Sequence, residues 1–329
     1  MSDNNILYYE SPGSFLGENS KRYFSSNYKR IKHEITNLTI QNNSLVGYLN
    51  ISWPHLWAEK AGKSLKPHVG SLEFYVIAVQ FIEYYMVILD NIKKECVNRM
   101  WVEDFVSKAG SEAVEEDASI PCKCTKLSQF VEDRKITSKF AIEIGKVVVK
   151  LTINYETCME RRCMSSCSNT SCMSIDNILN VKHEQLSYYT LGYKVPMHEI
   201  SNITVDKDKE TITADAKLIN LELANDFVGV SSVFQPCFTY CDIILITGQL
   251  SQILLFSLDN LTRENASNLW MRSVDCKYRI PIKDHTHIKL QVKELKKINA
   301  SGREYRSSTL LLDIGDGKMT SVCKFAYQL

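Results

Sequence analysis

Apolar and polar positions along this chain trace one pattern and then trace it again. Residues 31–53 alternate around the turn Gln41-Asn42-Asn43-Ser44, which predicts a β-hairpin. A connecting loop runs from Pro54 to Pro67. From Leu72 to about Asn98 the chain is apolar around most of a helix's girth, so it predicts a long helix buried on most sides. Strand-like alternation returns over 126–155, most clearly at Phe140–Ile144 and Val147–Ile153. The second pass gives a hairpin over Ile200–Leu223 around Asp206-Lys207-Asp208-Lys209, a loop to Pro236, a buried helix over about Asp242–Leu261, and strands from Tyr278 to Tyr327. Pro67 and Pro236 stand at the helix entrances, where a missing N–H does no harm.

Three blocks fix the repeat in residues. His33–Ile40 returns as His198–Val205 (198 − 33 = 165), Pro67 as Pro236 (236 − 67 = 169), and Ser138–Gly145 as Ser308–Gly315 (308 − 138 = 170). That period is too long for a solenoid or propeller unit. The expected organisation is a lead-in over 1–30, a first repeat over 31–155, a Cys-rich linker over 156–190 and a second repeat over 191–329. Each repeat reads strand, strand, long helix, several strands. A helix apolar on nearly all sides needs a sheet wrapped around it, which is the hotdog arrangement. The predicted fold class is therefore α+β, a double hotdog.

Composition narrows the field without deciding it. At 44% hydrophobic and 23% charged, the 329 residues describe an ordinary globular protein with a substantial core. A net charge of +1 gives no basic face for nucleic acid. The apolar stretches Phe74–Leu89 and Ile243–Leu258 fall short of roughly 18 uninterrupted apolar residues and carry polar groups such as Gln80, Glu83 and Gln249, so no membrane span is expected. Met1–Ser14 does not read as an export signal, and eleven cysteines without one suggest thiols in a reducing, cytoplasmic setting. Cys158, Cys163, Cys167 and Cys172 have enough thiols for zinc, with Cys122 and Cys124 as further candidates. Their spacing matches no tight knuckle, so no metal or other cofactor is expected.

Candidate chemistry concentrates in Lys63-Ser64-Leu65-Lys66-Pro67-His68-Val69-Gly70-Ser71-Leu72-Glu73. Here a histidine precedes a buried helix, a carboxylate sits in its first turn, and Lys63 and Lys66 add positive charge. An imidazole near a carboxylate suits acid–base work, and a helix N-terminus favours an anion or developing oxyanion. The bland alternative makes His68 a packing residue and Glu73 a dipole carboxylate. In the second repeat His68 becomes Cys237 and Glu73 becomes Asp242, while Gln80 is matched by Gln249. Dehydratases of double-hotdog type set a histidine from one half against an aspartate from the other, which makes His68 and Asp242 the expected pair. Cys237 as a nucleophile and His55, between Trp53 and Trp57, as an alternative base are the competing assignments. His33 and His198 repeat symmetrically and are expected to be structural.

The stretches Glu18–Arg30, Lys63–Ser71 and Gln235–Gln249 resemble the bacterial avirulence D (AvrD) family from about residue 18 to the end. That family is associated with acyl-sugar lactone elicitors of the syringolide type and is similar to the hotdog A-factor synthases. The resemblance implies a condensing or acyl-transferring enzyme joining a β-ketoacyl thioester to a sugar-like acceptor. It implies an acyl carrier protein or CoA thioester as partner, a phosphorylated acceptor as one option, and a homodimer as another. His68 matches the family's Arg/Lys-Pro-His segment and Asp242 its second acidic position; Glu73 departs from the Asp expected there. Lys63 or Lys66 would meet a phosphate, and His55, Cys237, Gln80 and Gln249 would contact substrate. Dehydration or hydrolysis of an acyl thioester on the same site is the alternative activity, and a non-catalytic ligand-binding protein the alternative class.

Overall fold

The computed structural model describes residues 5–110, 119–156, 187–195, 197–220, 226–300 and 302–329. In chain order the strands are β1 (Ile6–Tyr9), β2 (Lys32–Gln41), β3 (Ser44–Ser52), β4 (Glu59–Lys60), β5 (Lys63–Ser64), β6 (Trp101–Lys108), β7 (Ile120–Glu132), β8 (Lys135–Ile144), β9 (Val147–Glu156), β10 (Met197–Asp206), β11 (Thr211–Ile219), β12 (Trp270–Tyr278), β13 (His285–Ala300), β14 (Arg303–Ile314) and β15 (Met319–Gln328). The helices are the single-turn α1 (Gly13–Leu16), the long α2 (Ser71–Ile88), the short α3 (Lys94–Val97) and the long α4 (Tyr240–Leu258).

Thirteen strands form one antiparallel sheet in the order β1-β10-β11-β13-β14-β15-β12-β6-β9-β8-β7-β3-β2. Outward from the centre, β6-β9-β8-β7-β3-β2 on one side matches β12-β15-β14-β13-β11-β10 on the other, strand for strand. The halves join at β6 and β12, where Asp104 pairs with Lys277 and Lys108 with Ser273. At the middle of this seam Val106 pairs with Asp275, its own equivalent in the other repeat (275 − 106 = 169). The seam is therefore isologous, like the two-fold interface of a homodimer written into one chain. β1 adds a strand to the outer edge of β10. The fold is a double hotdog.

The helices are buried because the sheet wraps them. α2 packs on β3, β7, β8 and β9, α4 on β10 and β11, and the two helices pack against each other. Both are long and apolar enough to cross a membrane by composition, but 72% and 89% of their most apolar windows are buried inside the fold. Ile77, Phe81, Leu250 and Leu254 are fully enclosed, and each such side chain contributes on the order of 1.5–3 kcal/mol. The first helix ends ten residues before the expected Asn98. After Leu89 the backbone turns through a left-handed Asn91, and Lys126 holds Asp90 at 2.6 Å.

Repeated details follow the repeated sequence. Asn37 in β2 and Asn202 in β10 both take positive φ (53° each) at equivalent bulges, a conformation asparagine tolerates. The turn Asn42-Asn43 has positive φ at both residues, as a tight hairpin requires. β6 and β12 were not expected as strands, and the linker cysteines Cys158–Cys172 and the acidic run 112–117 lie outside the described residues.

The lead-in is packed structure. Residues 19–30 and 187–195 form equivalent straps at the helix N-termini: Tyr23 matches Tyr188, Tyr28 matches Tyr193, Lys29 matches Lys194 and His33 matches His198, all at 165 residues. Tyr28 stacks on Tyr193 with centroids 6.4 Å apart, and the Lys194 ammonium donates to the Ile31 carbonyl. The second strap includes Tyr188 and Tyr189, both core residues, although the sequence reading assigned them to the linker.

Candidate active site

Two adjoining cavities, each about 110 Å³, open at the N-terminus of α2 and share Phe24, His68, Gly70, Ser71 and Leu269 in their walls. The half-buried His68 is clamped between aromatic rings, with Trp57 at 4.6 Å and Trp270 at 4.7 Å centroid distance. Its Nδ1 lies 3.4 Å from the Lys66 carbonyl, a contact that orients the ring. The first cavity gathers the charged and amide side chains Arg22, Lys60, Gln249, Gln252, Arg263 and Asn268 among apolar walls such as Leu16, Trp57, Leu65 and Phe256, and is called the polar chamber below. The second is more apolar, with Phe74, Val147, Trp270, Met271, Val274 and Phe325 among its walls, although Arg272, Ser107 and Ser273 line it too. The imidazole stands where the two meet.

The carboxylates lie elsewhere. Glu73 is buried at the third position of α2, where it accepts from the Gly70 amide at 2.9 Å and from the Tyr23 hydroxyl. Burial raises its pKa; the Tyr23 and Gly70 hydrogen bonds oppose that shift. Asp242 is buried at the same position of α4, accepting from the Thr239 amide (2.8 Å) and hydroxyl (2.9 Å), with His198 Nδ1 at 3.8 Å. Asp242 lines neither cavity. The expected pairing of His68 with Asp242 is therefore not made through either chamber. Capping is the physical reason: a third-position carboxylate satisfies otherwise unpaired amides at its own helix start.

The other expected residues divide. Gln249 lines the polar cavity and accepts from the Arg22 guanidinium at 2.8 Å. Gln80, its equivalent, instead donates to the Tyr189 carbonyl at 2.6 Å, away from both cavities. Lys63, Lys66 and His55 are exposed and line neither cavity, so the lysine facing the polar chamber is Lys60. Cys237 is 1% exposed, and burial with nearby Asp242 pushes its thiol far above the ordinary range, which does not suit a nucleophile. His33 is half-buried, and burial of its ring beside Lys194 lowers its pKa to about 3, which keeps it neutral. Among the described residues no cluster of three metal-ligating side chains occurs.

At the matching positions of the second repeat stand larger side chains. Ser71 and Ala109, both cavity walls, correspond to Tyr240 and Tyr278 (240 − 71 = 169; 278 − 109 = 169). The latter pack 5.7 Å apart, and Trp101, the equivalent of Trp270 (270 − 101 = 169), packs 4.8 Å from Tyr278. Tyr278 donates to the Phe238 carbonyl at 2.8 Å and Tyr240 to the Glu103 carbonyl at 2.7 Å, so neither buried hydroxyl is orphaned. Among the described residues, the positions that wall the first repeat's chamber carry packed aromatic rings in the second.

The family model for Pseudomonas avirulence D protein (AvrD) matches residues 7–329. The chain belongs to the AvrD family. No curated protein matches this AvrD-family chain in sequence. Among solved structures it is similar to a 12:0-ACP thioesterase from Umbellularia californica (TM-score 0.42, 6% identity, 88% of this chain and 99% of that one). It is also similar to a conserved hot dog protein of unknown function from Alicyclobacillus acidocaldarius (0.41, 6%, 89% and 96%) and to a trans-AT PKS dehydratase domain from Brevibacillus brevis (0.39, 10%, 90% and 97%). Likeness at that level carries no inference about this protein's chemistry.

Proposed function

We propose that this AvrD-family protein is a biosynthetic enzyme that transfers a β-ketoacyl group from a CoA or carrier-protein thioester to a sugar-like hydroxyl acceptor. The observation that carries the reading is His68, clamped at a helix N-terminus between an apolar chamber and a polar one. An acyl chain suits the first and a polyol suits the second, so the hydroxyl and the thioester carbonyl would meet at the imidazole. His68 takes the hydroxyl proton as the oxygen attacks the carbonyl carbon; the C–S bond then breaks, and the departing thiolate takes the proton back. Oxyanion charge developing between those steps faces the positive end of α2. The product is a β-ketoester suited to closure into a lactone-type lipid. Glu73 and Asp242 shape the helix ends in this reading and handle no protons.

The test is incubation of the purified protein with a β-ketoacyl thioester, with and without an unphosphorylated polyol, followed by mass spectrometry. Ester should form only when acceptor is present, and His68→Ala should lower its rate by about a hundredfold or more with thermal unfolding unchanged. Free acid or enoyl thioester formed regardless of acceptor would assign hydrolysis or dehydration instead. An unaltered rate in the His68 variant would remove its role.

A further inference from the structure

The polar chamber carries more positive charge than the protein itself neutralises. Arg22, Lys60 and Arg263 line it, and among the described residues no carboxylate does. Arg22 is 4% exposed; it donates to Gln249 and Asn19, while its Nε is buried with no hydrogen-bond partner. Arg263 is 8% exposed and spends one nitrogen on the Glu59 carbonyl at 2.6 Å and the Lys21 carbonyl at 3.3 Å. Another of its nitrogens lies 3.4 Å from Glu264, a largely exposed acid. The Lys60 ammonium donates to the Ser267 carbonyl at 3.0 Å and lies over the Phe256 ring.

Like charges held together out of water repel, and the effect of Arg263 is visible at Arg22 and Lys60, after the larger effect of burial. Burial and Arg263 lower Arg22 to about 10 and Lys60 to about 8, with Glu264 partly offsetting the latter. Gly70 and Ser71, at the positive end of α2, face the same space. A small multivalent anion in the chamber would offset the cost of holding Arg22, Lys60 and Arg263 together.

We infer that the polar chamber binds the phosphate of a phosphate-bearing small molecule, held jointly by Arg22, Lys60 and Arg263 beside His68. This rests on the proposed function only for placing that phosphate next to a reacting hydroxyl or thioester. Two sources share the chemistry: a phosphorylated polyol acceptor, or the phosphates of coenzyme A and phosphopantetheine.

Isothermal titration of the intact protein with inorganic phosphate, sulfate, glycerol 3-phosphate, ribose 5-phosphate and coenzyme A, without turnover, tests it. Phosphate should bind competitively with sulfate, and Lys60→Gln should weaken it by about tenfold with thermal unfolding unchanged. Sulfate keeps its charge from about pH 6 to about pH 9, so its affinity should fall as Lys60 deprotonates near pH 8. Tighter binding of the polyol phosphates assigns the site to the acceptor, and tighter binding of coenzyme A assigns it to the thioester carrier. No binding of any phosphate at millimolar concentration, or binding that Lys60→Gln and Arg263→Lys both leave unchanged, overturns the inference. Acyl transfer to unphosphorylated polyols without phosphate binding would remove this site and spare the proposed activity; phosphate binding without acyl transfer would do the reverse.

Discussion

Replacing Glu83 by glutamine should stabilise the protein, and do so increasingly as the pH rises. Glu83 lies on α2 and accepts the Val230 amide at 2.6 Å, fastening a loop of the second repeat to the first repeat's helix. Gly229 turns with φ of 104° against that carboxylate; a Cβ there would lie 2.4 Å from Glu83 Oε1. Burial raises the pKa from 4.5 to about 8, with the Val230 bond opposing. An acid whose pKa is higher in the folded chain holds its proton more tightly there, so its contribution is complete below about pH 4.5 and is lost as the pH climbs to about 8. At about 1.36 kcal/mol per unit, the full shift of roughly 3.5 units corresponds to about 5 kcal/mol. Glu83 keeps partial contact with solvent, which reduces the expectation to about 2–4 kcal/mol. Glutamine keeps an oxygen for Val230 and has no charge to bury. Urea denaturation of both proteins between about pH 5 and pH 8, at equal m, measures the difference. Wild-type and variant stabilities should converge at low pH and separate in the variant's favour above it. Parallel pH profiles would refute the reasoning.

Two further substitutions probe the chamber. Ala109→Tyr copies Tyr278 into the open half, so it should fill the apolar cavity, abolish acyl-chain binding and leave the fold intact, as read by fluorescent acyl-thioester binding alongside circular dichroism. Gly248→Ala places a Cβ about 2.9 Å from the Phe24 ring, which walls both cavities; the helical gain of up to about 1 kcal/mol should offset the displacement, giving unchanged thermal stability but a measurably higher KM for the thioester.

The duplication was legible because its blocks coincide with structural constraints: bulge asparagines, prolines four residues before each long helix, and turns at the ends of β8 and β14. The helices were legible because a sheet-wrapped helix must be apolar all round. β6 and β12 were not, and the reason is local. A bulge between Val102 and Asp104, with its equivalent between Met271 and Ser273, inserts a residue that breaks the two-residue period. The places of His68 before the first long helix and of Gln249 within the second follow from the repeat, and both line the first cavity. Asp242 lines neither cavity, and a third-position carboxylate carries the same sequence signature whether it caps or reacts. Arg22, Lys60 and Arg263 come from three distant segments with no shared motif, so only the fold assembles them. The straps could have been found: extending the offset of 165 back from His33 aligns Lys29, Tyr28 and Tyr23 with Lys194, Tyr193 and Tyr188.

The isologous seam explains why only one of two related chambers needs to be open. A two-fold interface generates both sites or neither, and each void forfeits packing that would otherwise stabilise the core, by roughly 24 cal/mol per Å³. Once the copies share one chain they can diverge, and the second fills its void with Tyr240 and Tyr278 while satisfying both hydroxyls from backbone carbonyls. The first keeps Ser71 and Ala109 small, gathers cations from both repeats (Arg22 and Lys60 from one, Arg263 from the other) and sets His68 against Trp57 of its own half and Trp270 of the other. The open chamber therefore depends on both copies: the filled one supplies rigidity and walls, and neither repeat alone would carry the complete arrangement.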